Sequence, residues 1–166
     1  MKPQQILVFA AMLVICVGCD HAAKRIAESA LGGPSLSLAG DALRFELVYN
    51  PGAFLGFGAE LPGGVRGFLL QLLVPIALAG VCIAALRSGI ASRWSLLGLA
   101  MMVGGGLGNW LDRLMNGGLV TDFMSLGVGP LRTGVFNLAD VYIMAGVVLA
   151  LLGPREAAGS QESPPS

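Results

Sequence analysis

FNLADVYIMAGVVLALLG, residues 136 to 153, is the stretch on which the fold turns. Its last thirteen residues, Val141 to Gly153, carry no charge, and Asp140 stands immediately before them. A bilayer core about 30 Å thick takes roughly 20 apolar residues, with a usable range of about 17 to 25. Thirteen are too few. The segment crosses a membrane only by running back through Asp140 to about Phe136, which predicts a spanning helix with an acid inside it. A charge at the centre of a span costs about 2.5 to 3.5 kcal/mol on insertion scales, so it faces a cavity or a partner.

Composition makes the membrane reading general. Of 166 residues, 55% are hydrophobic and 12% charged, and the mean hydropathy is +0.76; soluble domains carry about a quarter charged residues. Ten basic and ten acidic residues cancel, so nothing points to nucleic acid. Three further apolar segments join the first: Pro3 to Cys19, Gly67 to Leu86 (broken by Gln71 and Pro75) and Trp94 to Leu111 (containing Gly104, Gly105 and Gly106). Four spans put both termini and the short Arg87 to Arg93 turn on one side. The cation count alone does not orient the chain. Lys2, Arg87, Arg93 and Arg155 stand against Lys24, Arg25, Arg44, Arg66, Arg113 and Arg132. Several loop cations sit beside acids, as Lys24 does near Asp20 and Arg113 beside Asp112, so ion pairing accounts for them and the termini are expected to be cytoplasmic.

The first long loop has a period of two. Leu36 and Leu38 alternate with serines, Gly40-Asp41 supplies a turn, and Leu43, Phe45, Leu47 and Tyr49 alternate with Ala42, Arg44, Glu46 and Val48. This predicts a hairpin with one apolar face, lying against the membrane or over the helix mouths. The segment from Pro154 to Ser166, rich in Pro, Ser, Glu and Ala, reads as a disordered tail. Cys16, Cys19 and Cys82 lie in or beside apolar runs, with neither disulfide nor zinc spacing; Cys16 and Cys82 read as small buried hydrophobes.

Polar residues collect on the long-loop side. Asn137 lies three residues before Asp140; Asn109, Asp112 and Arg113 fall at i, i+3 and i+4; Asp20 and Lys24 fall at i and i+4. The Asp20, Lys24, Asp112 and Arg113 group reads equally well as structural ion pairs tying helix ends. Asp122 and Asp140 do not, because Arg132 is the one cation near in sequence left for either. Two such acids cost less if they face each other and share one proton, as in the aspartic-protease dyad. Their spacing of eighteen residues does not by itself show that they meet.

Taken together, five blocks resemble the lipoprotein signal peptidases, or signal peptidase II: Asp20-His21-Ala22-Ala23-Lys24, Asn50-Pro51-Gly52-Ala53-Phe54, Gly108-Asn109-Trp110-Leu111-Asp112-Arg113, Gly118-Leu119-Val120-Thr121-Asp122-Phe123 and Phe136-Asn137-Leu138-Ala139-Asp140. They follow that family's order and approximate spacing from Asp20 to about Leu152. Ala23 stands where a Ser or Thr is usual, and Pro51 lies within the second block.

The resemblance implies a membrane all-α fold, residues 1–153, with four transmembrane helices and a small extracytoplasmic β insert at about 34–60. It implies an intramembrane aspartic endopeptidase of the bacterial inner membrane, cleaving diacylglyceryl-modified prolipoproteins before the lipid-modified cysteine. Asp122 and Asp140 match the catalytic pair. Asn50, Gly52, Asn109, Arg113, Asn137 and Ala139 match positions that line the site or support the pair, and Asp20, Lys24 and Asp112 match motif residues with a structural or supporting role. No metal or organic cofactor is implied. Partners are prolipoproteins and membrane lipids, not nucleic acid; the protein is expected to be a monomer with its site near the extracytoplasmic face. Two other readings stay open: a non-enzymatic membrane transport or interaction protein, and a lipoprotein itself processed at Cys19, since Val17-Gly18-Cys19-Asp20 follows Lys2 and an apolar run.

Overall fold

The computed structural model describes residues 1–88, 90 and 92–152; the expected tail lies outside the described residues. Helix α1 (Pro3–Ala30) opens with proline at a position where its missing N–H costs nothing. Gln5 closes the first turn by accepting the Lys2 N–H at 2.9 Å. At about 1.5 Å per residue its 28 residues rise about 42 Å. Only Cys16, Asp20, Lys24 and Ala27 are buried, spaced four, four and three apart on one narrow stripe. Leu7, Val14 and Ile15 on the remaining faces are exposed, as suits a helix surrounded by lipid.

A second helical stretch consists of α2 (Gly63–Gly67), a π-helical turn (Phe68–Leu73) and α3 (Val74–Ser88). The π turn has a local cause. Pro75 has no N–H to give the Gln71 carbonyl and its ring crowds that carbonyl; the freed oxygen accepts the Trp110 indole N–H at 2.9 Å instead. Pro3–Ala30 and Gly63–Arg87 are the two described helices long and apolar enough to cross a membrane.

Helix α4 (Arg93–Met115) starts at Ser92, whose side chain accepts the Trp94 N–H, and it occupies the centre, packed against α1, α3 and α5. Its glycines allow this. A Cβ on Gly98 would stand 2.5 Å from the Gly146 carbonyl oxygen of α5 (Leu138–Leu152), and one on Gly104 would stand 2.7 Å from the Cys16 Cβ. Backbones approach at those crossings because no side chain intervenes. The Met1 amino group donates to the Leu86 carbonyl at 3.0 Å, and the Gln5 amide to that of Ile90 at 2.8 Å. The start of the chain therefore sits at the α3–α4 turn, away from the polar ends of the helices.

Helix α5 begins at Leu138, within two residues of the expected start at about Phe136, and Asp140 lies in its first turn. A carboxylate there meets the positive end of the helix dipole rather than an apolar midsection. The expected β insert at about 34–60 needs one correction, because the sheet also draws strands from the second long loop. Strands β1 (Leu36–Leu38) and β2 (Leu43–Asn50) pair antiparallel, but β2 pairs also with β3 (Val120–Val128), and β3 with β4 (Leu131–Arg132), in one sheet ordered β1-β2-β3-β4. The sheet thus joins both loops, and Asp122 sits on its third strand.

The predicted alternation in β2 also fails halfway. Phe45 pairs with Met124 and Val48 with Asp122, so three steps on β2 oppose two on β3. A bulge of this kind reverses which residues face a given side. Beyond it Val48 and Asn50, rather than Leu47 and Tyr49, share the face of Asp122.

Candidate active site

Asn137 caps α5 and organises the site. Its side-chain oxygen accepts the Asp140 backbone N–H at 3.0 Å, and Asp140 Oδ2 accepts the Asn137 backbone N–H at 3.1 Å. This reciprocal box satisfies two donors that a helix start otherwise leaves unpaired. The Asn137 Nδ2 donates at 2.7 Å to Asp122 Oδ1, at 2.9 Å to Asn109 Oδ1 and at 3.3 Å to the Thr121 carbonyl. One fully buried amide thus links both aspartates, from strand and helix.

Each acid has a second amide partner. Asn50 Nδ2, turned inward by the bulge, donates to Asp122 Oδ2 at 2.8 Å. Asn109 Nδ2 donates to Asp140 Oδ1 at 3.0 Å. All four carboxylate oxygens therefore accept a hydrogen bond, and neither acid has a cation as its direct partner among the described ion pairs. Asp122 is 2% exposed. Burial pushes its carboxyl up to about 7 and the Asp140 charge adds to this, against the Asn50 and Asn137 hydrogen bonds and the Lys24 charge.

Asp122, Asp140, Asn50, Asn109 and Arg113 line one cavity of about 10 Å³, about the space that one water needs. Two larger spaces flank it. A cavity of about 140 Å³ lies beside Asp122, against Tyr49, Leu55 and Val135. A groove of about 680 Å³ runs from Asp140 along α5 past Val141, Met144, Ala145 and Val148, with Phe54 opposite. The pair lies where a polar pocket meets an apolar channel.

The loop after β2 closes over the pair. Asn50 Oδ1 accepts the Gly52 N–H at 2.8 Å, and the Gly52 carbonyl accepts Arg113 Nη2 at 2.7 Å. Only glycine fits at 52, because a Cβ would stand 2.7 Å from the Phe57 carbonyl oxygen and 2.8 Å from that of Gly56. Arg113 is 7% exposed; its Nη1 donates to the Asn109 carbonyl at 3.2 Å, and its Nε, though buried, has no hydrogen-bond partner among the described residues.

Asp20, Lys24 and Asp112 lie behind the pair. Lys24 Nζ is 2.8 Å from Asp20 Oδ2 and 3.2 Å from Asp112 Oδ2. The sequence neighbours Asp112 and Arg113 do not form the pair that adjacency implies: Asp112 takes Lys24, and Arg113 takes two carbonyls. Asp20 Oδ1 accepts the Ala139 N–H at 2.9 Å, while Ala139 itself is fully buried. Asn50, Gly52, Asn109, Arg113, Asn137, Ala139, Asp20, Lys24 and Asp112 are thus linked to Asp122 and Asp140 in one connected cluster. Thr121 was quoted within a block but not assigned. It is fully buried, donates its N–H to Asp112 Oδ2 at 2.7 Å and its hydroxyl to Glu28 Oε1 at 3.2 Å.

The chain matches the model of a family described as signal peptidase (SPase) II over residues 12–153. A lipoprotein signal peptidase of Aquifex aeolicus (strain VF5) is 39% identical over 110 residues, 66% of this chain and 64% of that protein. One of Bifidobacterium longum subsp. infantis is 34% identical over 155 residues, 89% of this chain and 79% of that protein. The chain therefore spans about two thirds of the length of the first and more of the second. In fold it is similar to a bacterial membrane enzyme solved by the in meso method at 2.3 Å resolution, with a TM-score of 0.76 and 23% identity over 89% of this chain and 87% of that one.

Proposed function

The chain belongs to the signal peptidase II family, and from that premise we propose that it is a membrane aspartic endopeptidase that removes signal peptides from prolipoproteins, with Asp122 and Asp140 as its catalytic pair. The observation that carries the reading is the Asn137 side chain, which binds Asp122 while capping Asp140, with both acids on one water-sized cavity.

The chemistry follows from that geometry. A water between the acids gives a proton to the ionised carboxylate as it attacks the carbonyl carbon of the scissile peptide bond. The protonated partner donates to the carbonyl oxygen, and collapse of the tetrahedral intermediate sends a proton to the leaving amine. The four amide hydrogen bonds hold the carboxylates in place. The unpartnered Arg113 Nε–H is a donor for a substrate carbonyl. Asn50 and Gly52 shape the loop over the site, and Ala139 leaves room for α4. Water and two carboxyl groups suffice for this hydrolysis without a metal or organic cofactor.

The substrate is a prolipoprotein bearing a diacylglyceryl cysteine, cleaved before that residue. The groove along α5 suits its apolar part. Four spans, α1, the α2–α3 stretch, α4 and α5, form one domain over residues 1–153 in the bacterial inner membrane, in contact with its lipids. The termini and the α3–α4 turn are cytoplasmic; the sheet and the site lie near the extracytoplasmic face. The protein acts as a monomer and binds no nucleic acid. The deciding experiment offers a diacylglyceryl-modified precursor peptide to the purified protein in detergent. Cleavage before the modified cysteine by the wild type but not by Asp122→Asn is the expected result, and an uncleaved precursor would sink the reading.

A further inference from the structure

Lys24 is 2% exposed, and its ammonium meets oxygens that lead to each element of the site. Asn109 Oδ1 accepts from it at 2.9 Å, and the same amide donates through Nδ2 to Asp140. Asp112 Oδ2, at 3.2 Å, also accepts the backbone N–H of Thr121, the residue before Asp122. Asp20 Oδ2, at 2.8 Å, is an ion-pair contact without hydrogen-bond geometry, and the other oxygen of that carboxylate holds the Ala139 N–H, next to Asp140.

From this convergence we infer that Lys24 is a positioning residue for the reaction: its single ammonium fixes the Asn109 amide, the start of α5 and the Thr121 end of β3, and so sets how Asp140 and Asp122 face each other. The inference rests on the reading of those two acids as the catalytic pair. The Asn109 orientation is its most specific part. With Lys24 and the Asn137 amide both donating to Asn109 Oδ1, the Asn109 NH₂ is left to Asp140. Without the cation, Asn109 Oδ1 keeps one donor in place of two, and an amide flip that would present an oxygen to a carboxylate is opposed less strongly.

Lys24 also acts through its charge. The ionisable groups around it are Asp20 and Glu28 on α1, Asp112 and Arg113 on α4, Asp122 on β3 and Asp140 on α5. Arg113 donates to the Gly52 and Asn109 carbonyls while its charge also reaches Asp122, Asp140 and Asp112, so Lys24 and Arg113 are both cations among the carboxylates. A cation there favours ionised forms.

The test measures kcat, KM and the pH profile of precursor cleavage for Lys24→Arg and Lys24→Met, with melting temperature and yield measured alongside. Lys24→Arg keeps the charge but replaces one point donor with a planar fork; kcat is expected to fall tenfold or more, with KM within threefold and both limbs of the pH profile in place. Lys24→Met is expected to lose at least as much kcat and to move both limbs to higher pH. If Lys24→Met does not fold, Lys24→Met/Asp20→Asn, which removes one charge of each sign, takes its place with the same expected loss in kcat. Variants that melt earlier yet keep wild-type kcat per folded molecule and unmoved limbs would reduce Lys24 to a structural tie and overturn the inference. Wild-type protein that leaves the precursor intact would overturn both this inference and the reading beneath it.

Discussion

Asn137 donates its side-chain amide to Asp122 Oδ1 at 2.7 Å from the N-cap position of the helix that carries Asp140. The bond ties the relative position of two acids, eighteen residues apart in sequence, to the beginning of α5 rather than to the packing of long helices. It also accounts for an acid ahead of a short apolar run. The cap and the helix dipole both favour a carboxylate in the first turn and so offset part of the cost of burying Asp140.

Asp122→Asn and Asp140→Asn are each expected to abolish turnover while the protein still inserts and purifies, since an amide neither shares the proton nor activates water. Cleavage of the lipid-modified precursor measures this. Turnover above about a tenth of wild type in either variant, a barrier loss below about 1.4 kcal/mol, would remove that residue from the pair.

The buried Asp122 carboxyl gives stability a definite pH dependence. Its folded value of about 7 lies above the usual 3.8, so the folded state holds the proton more tightly than the unfolded chain. The resulting stability is full below about pH 4 and lost as pH rises through 7. Asp122→Asn has no such proton to lose. Relative to wild type it should gain melting temperature between pH 4 and 8, by at least a few degrees, given roughly 2–4 °C per kcal/mol for a chain of this size. Wild-type turnover should fall as pH rises through 7 and the shared proton leaves. Melting curves at pH 4, 6 and 8 that run parallel for the two proteins would contradict the shift.

Much of this was legible in the sequence, and the gaps have physical causes. The apolar segments, the β1–β2 turn at Gly40-Asp41 and the i, i+4 pair of Asp20 and Lys24 all follow from local periodicity. Strand β3 did not. Val120, Met124, Leu126 and Val128 alternate as a strand should, but Asp122 stands in their apolar row. The residue that spoils the pattern is one of the two proposed catalytic acids, and functional sites are where local rules are expected to fail. The β2 bulge was hidden for another reason: the register is set by pairing with a strand about seventy residues away, and the Leu43 to Tyr49 alternation continues straight across the bulge. The Lys24–Asp112 pairing was missed because adjacency in sequence favoured Arg113, whereas the helix turns Arg113 towards Gly52.

Gly52→Ala separates loop geometry from stability. The added Cβ meets two backbone carbonyl oxygens, those of Phe57 and Gly56, neither of which can swing aside like a side chain. The loop from Ala53 to Phe57 must shift, loosening the Arg113 and Asn50 contacts beneath it. The expected result is at least a tenfold loss of kcat/KM with the melting temperature little changed, because the helices do not depend on this loop. Wild-type kinetics in Gly52→Ala would show that the loop does not need this closeness.

Cys19 supplies the last prediction, because a lipoprotein precursor would be lipidated there and lose Met1 to Gly18. The structure gives that segment work to do. Helix α1 runs unbroken through Cys19, and Cys16, fully buried, packs on Gly104 of α4. Removing eighteen residues would take Cys16 out of that contact and leave the Asp20 and Lys24 side chains on a helix cut off from the membrane. Cys19 itself is exposed, so Cys19→Ala is expected to leave mass (apart from the substituted atoms), insertion and activity nearly unchanged. Intact-mass measurement on the purified protein decides between the two fates: a species that starts at an acylated Cys19 would take away the first span and with it the anchor of the Lys24 cluster.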